Sequence, residues 1–294
     1  MLWARTADGL EIAVVRRPGS DEWALPTADL RPDETPLAAA RRAALDQTGV
    51  RPVVGPRLSP GPLAPPAGPA SVSYWAMHAP DDRLPAPDER PSPGGDPGGD
   101  PDRVAWLPQR EAKARLTDPG QIAAVEALKQ VALSVDTVLL LVRHASVGHQ
   151  SRWEADDRRR PLDEEGLDQA ARLRHGLAAF APDELRAVDN ARCMGTLEPL
   201  ADDLHLTVRI EVLLSDDTAP DRRLGRFREL ACSHRRVAVS TSPTVIQPLL
   251  AAVTGVGDGD LPDTREGSAW ALFFDDHGRL VAADYYPTFA RPAR

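Results

Sequence analysis

Apolar positions along the chain fall into two spacings, short continuous or alternating runs and helical stripes, and they trade places along nearly its whole length. The run Leu10–Val15 reads as a strand, followed by turn residues Pro18-Gly19-Ser20 and the segment Trp23–Pro26. A helix is predicted next. Thr35 is a good N-cap, Pro36 suits the first helical position and Gly49 supplies the stop. Strands are predicted at Val72–Met77 and Val104–Pro108, and a helix at Gln121–Val131. Thr137–Val142 is apolar without a break, the mark of a strand covered on both faces in a parallel sheet. Helices follow at Gly166–Phe180, Cys193–Leu204 and Thr244–Val253, with strands at Thr207–Val212 and Val237–Ser240 and a hairpin over Ala269–Tyr285. Strand alternating with helix predicts an α/β layered architecture. The stretch Leu84–Arg103 breaks the pattern, being rich in Pro, Gly and Asp, and is expected to be a mobile loop. A domain boundary is expected near Ser134–Asp136, giving domains 1–134 and 135–294.

Composition narrows the function classes. At 294 residues the chain has room for two ordinary domains, and 42% hydrophobic with 27% charged residues predicts globular folding. A net charge of -9 argues against general nucleic-acid binding. Lys113 and Lys129 are the only lysines, so nearly all positive charge is arginine. That bias fits genome composition, yet the planar arginine fork also suits phosphate oxygens. Cys193 and Cys232 are too few and too far apart for a disulfide framework or a zinc site. The longest apolar stretch, VALSVDTVLLLV, is short of a membrane span and contains Asp136. The N-terminus has no signal-peptide pattern, so a cytoplasmic location is expected.

The clearest chemistry follows the buried run Thr137–Val142. There Arg143, His144 and Ala145 are followed by Ser151–Trp153, Asp156-Asp157, Arg158, Arg160–Leu162, Gly166 and Gln169-Ala170. Later come Arg192-Cys193, Thr196, Glu198–Ala201, Gly267–Trp270 and Gly278–Pro287. This set resembles the histidine phosphatases, specifically the compact branch fused to Nudix domains in actinobacterial MutT-type proteins. The resemblance implies His144 as phosphoryl acceptor, Arg143 and Arg192 as phosphate-gripping residues, and Asp216 at the position of the proton-donating acid. Such chemistry needs a neutral imidazole to attack phosphorus and arginines to neutralise the equatorial oxygens, and it uses no cofactor. The family's second histidine is missing. Ser242 stands in its place as a phosphate-binding candidate, with Pro243 for the usual glycine, while Cys232-Ser233-His234 copies the motif at the wrong end of the strand.

The segment Trp23–Val50 resembles the Nudix signature, G-x5-E-x7-R-E-U-x-E-E-x-G-U. It keeps Glu34, Arg42, Gly49 and Val50, but Ala28 replaces the glycine, and Ala43, Asp46 and Gln47 replace three glutamates. The resemblance implies Mg²⁺, for which Glu34 and Asp46 are the remaining, weak ligands, because a hard cation wants anionic oxygens. The fold expected is therefore a Nudix-like α/β/α domain followed by a histidine-phosphatase-like α/β layered domain. By resemblance the substrate is a phosphorylated small molecule or nucleotide, of the 8-oxo-guanine nucleotide or dinucleoside polyphosphate class. Both motifs are eroded, so the reading is a degenerate tandem that binds phosphorylated ligands, or a protein partner, with weak or no hydrolysis. Two alternatives stand beside it: an active phosphohydrolase using His144, and a metal-dependent Nudix enzyme recruiting acids such as Asp29 or Asp33.

Overall fold

The computed structural model describes residues 1–6, 9–16, 21–58, 72–80, 103–148, 153–257 and 260–289. The turn Pro18-Gly19-Ser20, the dipeptide Ser151-Arg152 and residues 84–102 of the low-complexity stretch lie outside them; Arg103 already belongs to a strand. The chain divides into two compact units, Met1–Leu133 and Ser134–Arg294.

The first unit contains strands β1 (Leu2–Thr6), β2 (Gly9–Arg16) and β3 (Trp23–Ala24), helix α1 (Pro36–Thr48), and strands β4 (Val53–Arg57), β5 (Trp75–His78) and β6 (Arg103–Pro108). Helices α2 (Gln109–Arg115) and α3 (Pro119–Ala132) follow. β2 is the hub of the sheet, pairing antiparallel with β1, β3 and β6, while β1 pairs parallel with β5. Helix α1 starts and stops as its sequence predicts. The Thr35 hydroxyl accepts from Ala38 N at 3.3 Å, and Gly49 takes φ 70° while donating to Leu45 O. Such a cap is worth about 1 kcal/mol. The core joins Ile12, Val14 and Leu107 of the sheet to Val125 and Leu128 of α3. Gln121 on α3 accepts from Leu25 N at 2.7 Å and so fastens the segment leading into the helix α1 loop.

The second unit runs β7 (Thr137–Arg143), α4 (Glu164–Ala178), β8 (Glu184–Ala187), α5 (Ala191–Leu204), β9 (Val208–Ile210), α6 (Pro220–Ala231), β10 (Arg236–Thr241), α7 (Pro243–Thr254), β11 (Ala269–Phe274) and β12 (Leu280–Tyr286). Sheet order is β12-β11-β7-β10-β8-β9, parallel from β7 to β9 and antiparallel at β11 and β12. The chain leaves β7, crosses to β8 and β9, then returns to insert β10 between β7 and β8. That reversal puts the carboxyl ends of β7, β10 and β8 side by side, where open α/β sheets bind their ligands. Sequence pattern missed β8 and α6. β8 is short, and its Glu184 and Arg186 belong to a part-buried ion network with Glu211 and Arg226. Among the described residues no helix is long and apolar enough to cross a membrane.

Candidate active site

At the carboxyl end of β7, His144 is 8% exposed and its backbone N–H donates to Thr241 O at 3.2 Å, tying it to the end of β10. On its other side Gly267 donates to the His144 carbonyl at 3.3 Å, from a backbone at φ 66° that favours glycine. Gly166 at the start of α4 is also obligatory, because a Cβ there would lie 2.0 Å from Ser146 O. The loop carrying His144 is thus held from three sides.

The imidazole Nδ1 lies 2.9 Å from Ala145 O. A carbonyl only accepts, so Nδ1 carries the proton and the neutral ring keeps its lone pair on Nε2. Burial, with Arg192 and Arg143 nearby, holds the His144 pKa below the ordinary histidine value and favours that neutral form. Thr196 on α5 couples two parts of the site. Its hydroxyl accepts from Ala145 N at 2.9 Å and donates to Arg192 O at 2.7 Å.

Arg143 and Arg192 act on this ring, and Arg160 joins Arg192 at Asp157. Arg143 donates Nη1 to Thr264 O at 2.6 Å and lies 3.5 Å from Glu266, while its buried Nε has no partner among the described residues. Arg192, on the first turn of α5, donates Nη1 to the Asp157 carboxylate at 2.7 Å. Arg160 forms an ion pair with the same carboxylate at 3.0 Å, and its buried Nε is likewise unpartnered among the described residues. Arg160 is part of the Arg160–Leu162 motif, and its spacing three residues behind Asp157 brings the two side chains together.

Asp216 lies in the loop after β9 and accepts from the Ser242 hydroxyl at 2.8 Å and from the Thr244 hydroxyl. A hydroxyl has one proton, and in this structure that of Ser242 goes to Asp216. His234 pairs with Asp136 and donates its backbone N–H to Thr137 Oγ1, at the amino end of β7 and so away from His144. Cys193 is buried, which pushes its thiol up to about 12 and leaves it no use as a nucleophile.

The loop and helix of the first unit are closed by protein partners. Arg42 donates Nε and Nη2 to the two oxygens of Glu34, at 2.9 and 2.8 Å, and Arg31 N adds a third bond. That fork draws the Glu34 carboxyl down to about 2. Glu34 is therefore a clamp on Arg42, with both of its oxygens engaged by the protein. Ala43 is 1% exposed in the core, Asp46 faces solvent, and Gln47 points its amide nitrogen at Thr27 O, 2.6 Å away. Asp29 and Asp33 are exposed. Among the described residues no group of three or more His, Cys, Asp or Glu is arranged to hold a metal. The divalent cation that a Nudix domain implies does not fit this donor set. Trp3 and Trp75 are core residues and Arg115 covers the ring of Trp23, so none of the three offers an open stacking face.

Residues 2–128 match the NUDIX domain family, and residues 139–231 match the histidine phosphatase superfamily (branch 1). The chain is 35% identical over 287 residues to an 8-oxo-(d)GTP phosphatase of Mycolicibacterium smegmatis, covering 94% of this chain and 83% of that protein. Among solved structures it is similar to the protein histidine phosphatase SixA complexed with tungstate, at 18% identity over 53% of this chain and 97% of that one, with TM-score 0.43. It is also similar to Bacillus stearothermophilus YhfR, at 16% identity over 53% and 98%, with TM-score 0.44. Both matched families act on phosphorylated small molecules or nucleotides, which makes the chain a phosphohydrolase by type. It belongs to the family of two-domain proteins in which a Nudix domain is followed by a histidine phosphatase domain.

Proposed function

We propose that the phosphate chemistry of this protein resides in the C-terminal site, which binds a phosphorylated nucleotide or small molecule and hydrolyses it slowly through His144, without a metal. One observation carries the reading: the hydrogen bond from His144 Nδ1 to Ala145 O, which leaves the Nε2 lone pair free beside Arg143 and Arg192. Nε2 attacks phosphorus, an N–P bond forms, and the P–O bond to the leaving group breaks. Arg143, Arg160 and Arg192 neutralise charge on the phosphoryl oxygens, and Asp216 gives a proton to the departing oxygen. Water then attacks phosphorus, releasing inorganic phosphate and restoring His144. With Ser242 bound to Asp216 where the second histidine is expected, one transition-state donor is missing, a loss of on the order of a hundred- to thousandfold in rate. The relative's action on 8-oxo-(d)GTP supports a purine nucleotide of the nucleotide pool as ligand. The Nudix unit serves as scaffold, since Glu34 and Gln47 are committed to protein partners. The test is release of phosphate from a nucleotide panel and from p-nitrophenyl phosphate, with and without Mg²⁺. Turnover that persists in EDTA and disappears in His144→Ala is expected. Turnover that needs Mg²⁺ and survives His144→Ala would overturn the reading.

A further inference from the structure

We infer that Asp157 is a positioning residue, a bridging carboxylate that aims Arg160 and Arg192 at the phosphoryl group; the inference rests on the C-terminal reading above. Asp157 opens a one-turn 3-10 segment, Asp157–Arg159, which is itself well fixed. Asp156 accepts from Arg158 N through its side chain at 3.0 Å, and its carbonyl accepts from Arg159 N at 2.9 Å and from Trp153 Nε1 at 3.0 Å. From this turn Asp157 reaches two guanidinium groups. Oδ2 accepts from Arg192 Nη1 at 2.7 Å, and Oδ1 pairs with Arg160 Nη2 at 3.0 Å. The Asp157 carbonyl accepts from Arg192 Nη1 as well, at 3.0 Å, so Arg192 is held by both backbone and side chain.

The way the arginines are used separates positioning from blockade. A carboxylate plugging an anion site takes the two parallel N–H groups of a fork. Asp157 accepts a hydrogen bond from one amino group of Arg192 and stands against one amino group of Arg160 as an ion pair only, and among the described residues the rest of each fork has no hydrogen-bond partner. Arg160 and Arg192 side chains are only 12% and 14% exposed, and the unpartnered Arg160 Nε is fully buried. Donors left unsatisfied in a part-buried pocket are suited to an anionic ligand that satisfies them. A carboxylate held between two arginines also limits their repulsion and fixes both planes before substrate arrives, which is where catalytic orientation comes from.

The experiment compares full-length wild type with Asp157→Asn, Asp157→Glu and Asp217→Asn. Asp217 pairs with exposed Arg158 and removes the same charge from the same rim without touching Arg160 or Arg192. Circular dichroism confirms folding, calorimetry gives Kd for inorganic phosphate, and p-nitrophenyl phosphate in EDTA gives kcat and KM. In Asp157→Asn the amide accepts from one arginine and turns a donor on the other. Its kcat is expected to fall on the order of a hundredfold, and Kd to weaken about tenfold, the loss of one charge-assisted bond. A merely structural role would lower the active fraction and leave Kd and KM unchanged in the folded protein. Asp157→Glu keeps the charge and is expected to recover part of both losses; it decides the matter if Asp157→Asn does not fold. Tighter phosphate binding in Asp157→Asn, or equal losses in Asp217→Asn, overturns the inference. An active wild type with an unaffected Asp157→Asn also overturns it, and leaves the parent reading intact. A wild type that neither binds phosphate nor releases nitrophenol overturns both.

Discussion

The helix α1 loop and the end of β7 began from similar motif losses, and the structure treats them in opposite ways. At α1 the motif's remaining polar groups turn to the protein or to solvent: Glu34 fills the Arg42 fork, the Gln47 amide caps Thr27 O, and Asp46 is exposed. At β7 the buried Nε–H groups of Arg143 and Arg160 remain unpartnered among the described residues. Leaving a buried donor unsatisfied costs about 1–3 kcal/mol. A site that still meets an anion has its donors satisfied in the bound state. Missing glutamates and a missing histidine look alike in the sequence; the hydrogen bonds around them do not.

The largest effect expected from this contrast is that of removing His144. His144→Ala should lower hydrolysis of p-nitrophenyl phosphate by on the order of a thousandfold or more, to background, since no other group supplies the attacking lone pair. Glu34→Gln should leave that rate unchanged while loosening the loop before α1. Equal losses from the two variants would break the contrast. Next in size is phosphate affinity. Arg143→Ala or Arg192→Ala should weaken calorimetric binding of phosphate by about ten- to a hundredfold, the worth of a charge-assisted hydrogen bond. Ser242→Ala should change it far less, because that hydroxyl serves Asp216. A large effect from Ser242 would mean that it turns toward the ligand on binding.

Much of this was legible in advance, and the exceptions share a cause. Thr35, Pro36 and Gly49 announce α1 because caps are local chemistry, and Thr137–Val142 announces a central strand because it is buried on both faces. The Arg143-His144 pair and Arg192, far apart in the motif, lie near one another in the fold. What sequence could not show is where a side chain spends its hydrogen bonds. Glu34 read as a metal ligand and is a clamp; Ser242 read as a phosphate donor and holds Asp216; Asp157 read as one residue of a motif and bridges two arginines. Each depends on a partner brought close only by the fold, as Asp157 and Arg192 are by the packing of its turn on α5.

A smaller effect is the pH dependence of the His144 reaction. Burial depresses the folded pKa of His144 below its ordinary value, and the Arg192 and Arg143 charges act the same way, while Ala145 O and Glu266 oppose them. Asp157, which Arg192 holds below the usual carboxylate range, stays charged throughout this window. The attacking species is the neutral ring, so the rate should hold as pH falls through about 6.5 and decline only lower, by up to about tenfold per pH unit. Stability follows the same sign. The contribution of a neutral buried imidazole is fully present above the unfolded value near 6.5, and is lost as pH falls through the depressed folded value. An acid limb at or above 6.5 in kcat/KM would show that His144 is solvated in solution.

The finest test concerns the bond between Gln47 and Thr27, because it asks whether the first unit replaced its cation or merely lost it. A carbonyl oxygen accepts equally from an N–H donor or from a cation, and at 2.6 Å the Gln47 amide already occupies that role. Gln47→Glu turns the donor into a second acceptor facing Thr27 O, which costs about 1–3 kcal/mol when the pair is part-buried. For a unit of this size that is a melting shift of about 4–11 °C. In EDTA the variant should melt lower than wild type by that amount, and Mg²⁺ should recover part of the loss by bridging the carboxylate and the carbonyl. Adding Ala43→Glu should not extend the recovery, because residue 43 is buried in the core and a carboxylate there would first have to be desolvated. Wild type should melt identically in EDTA and in Mg²⁺. A wild-type melting temperature that rises by several degrees with Mg²⁺ would place a cation in the first unit after all, and the two sites would then differ in their chemistry and not in whether they kept any.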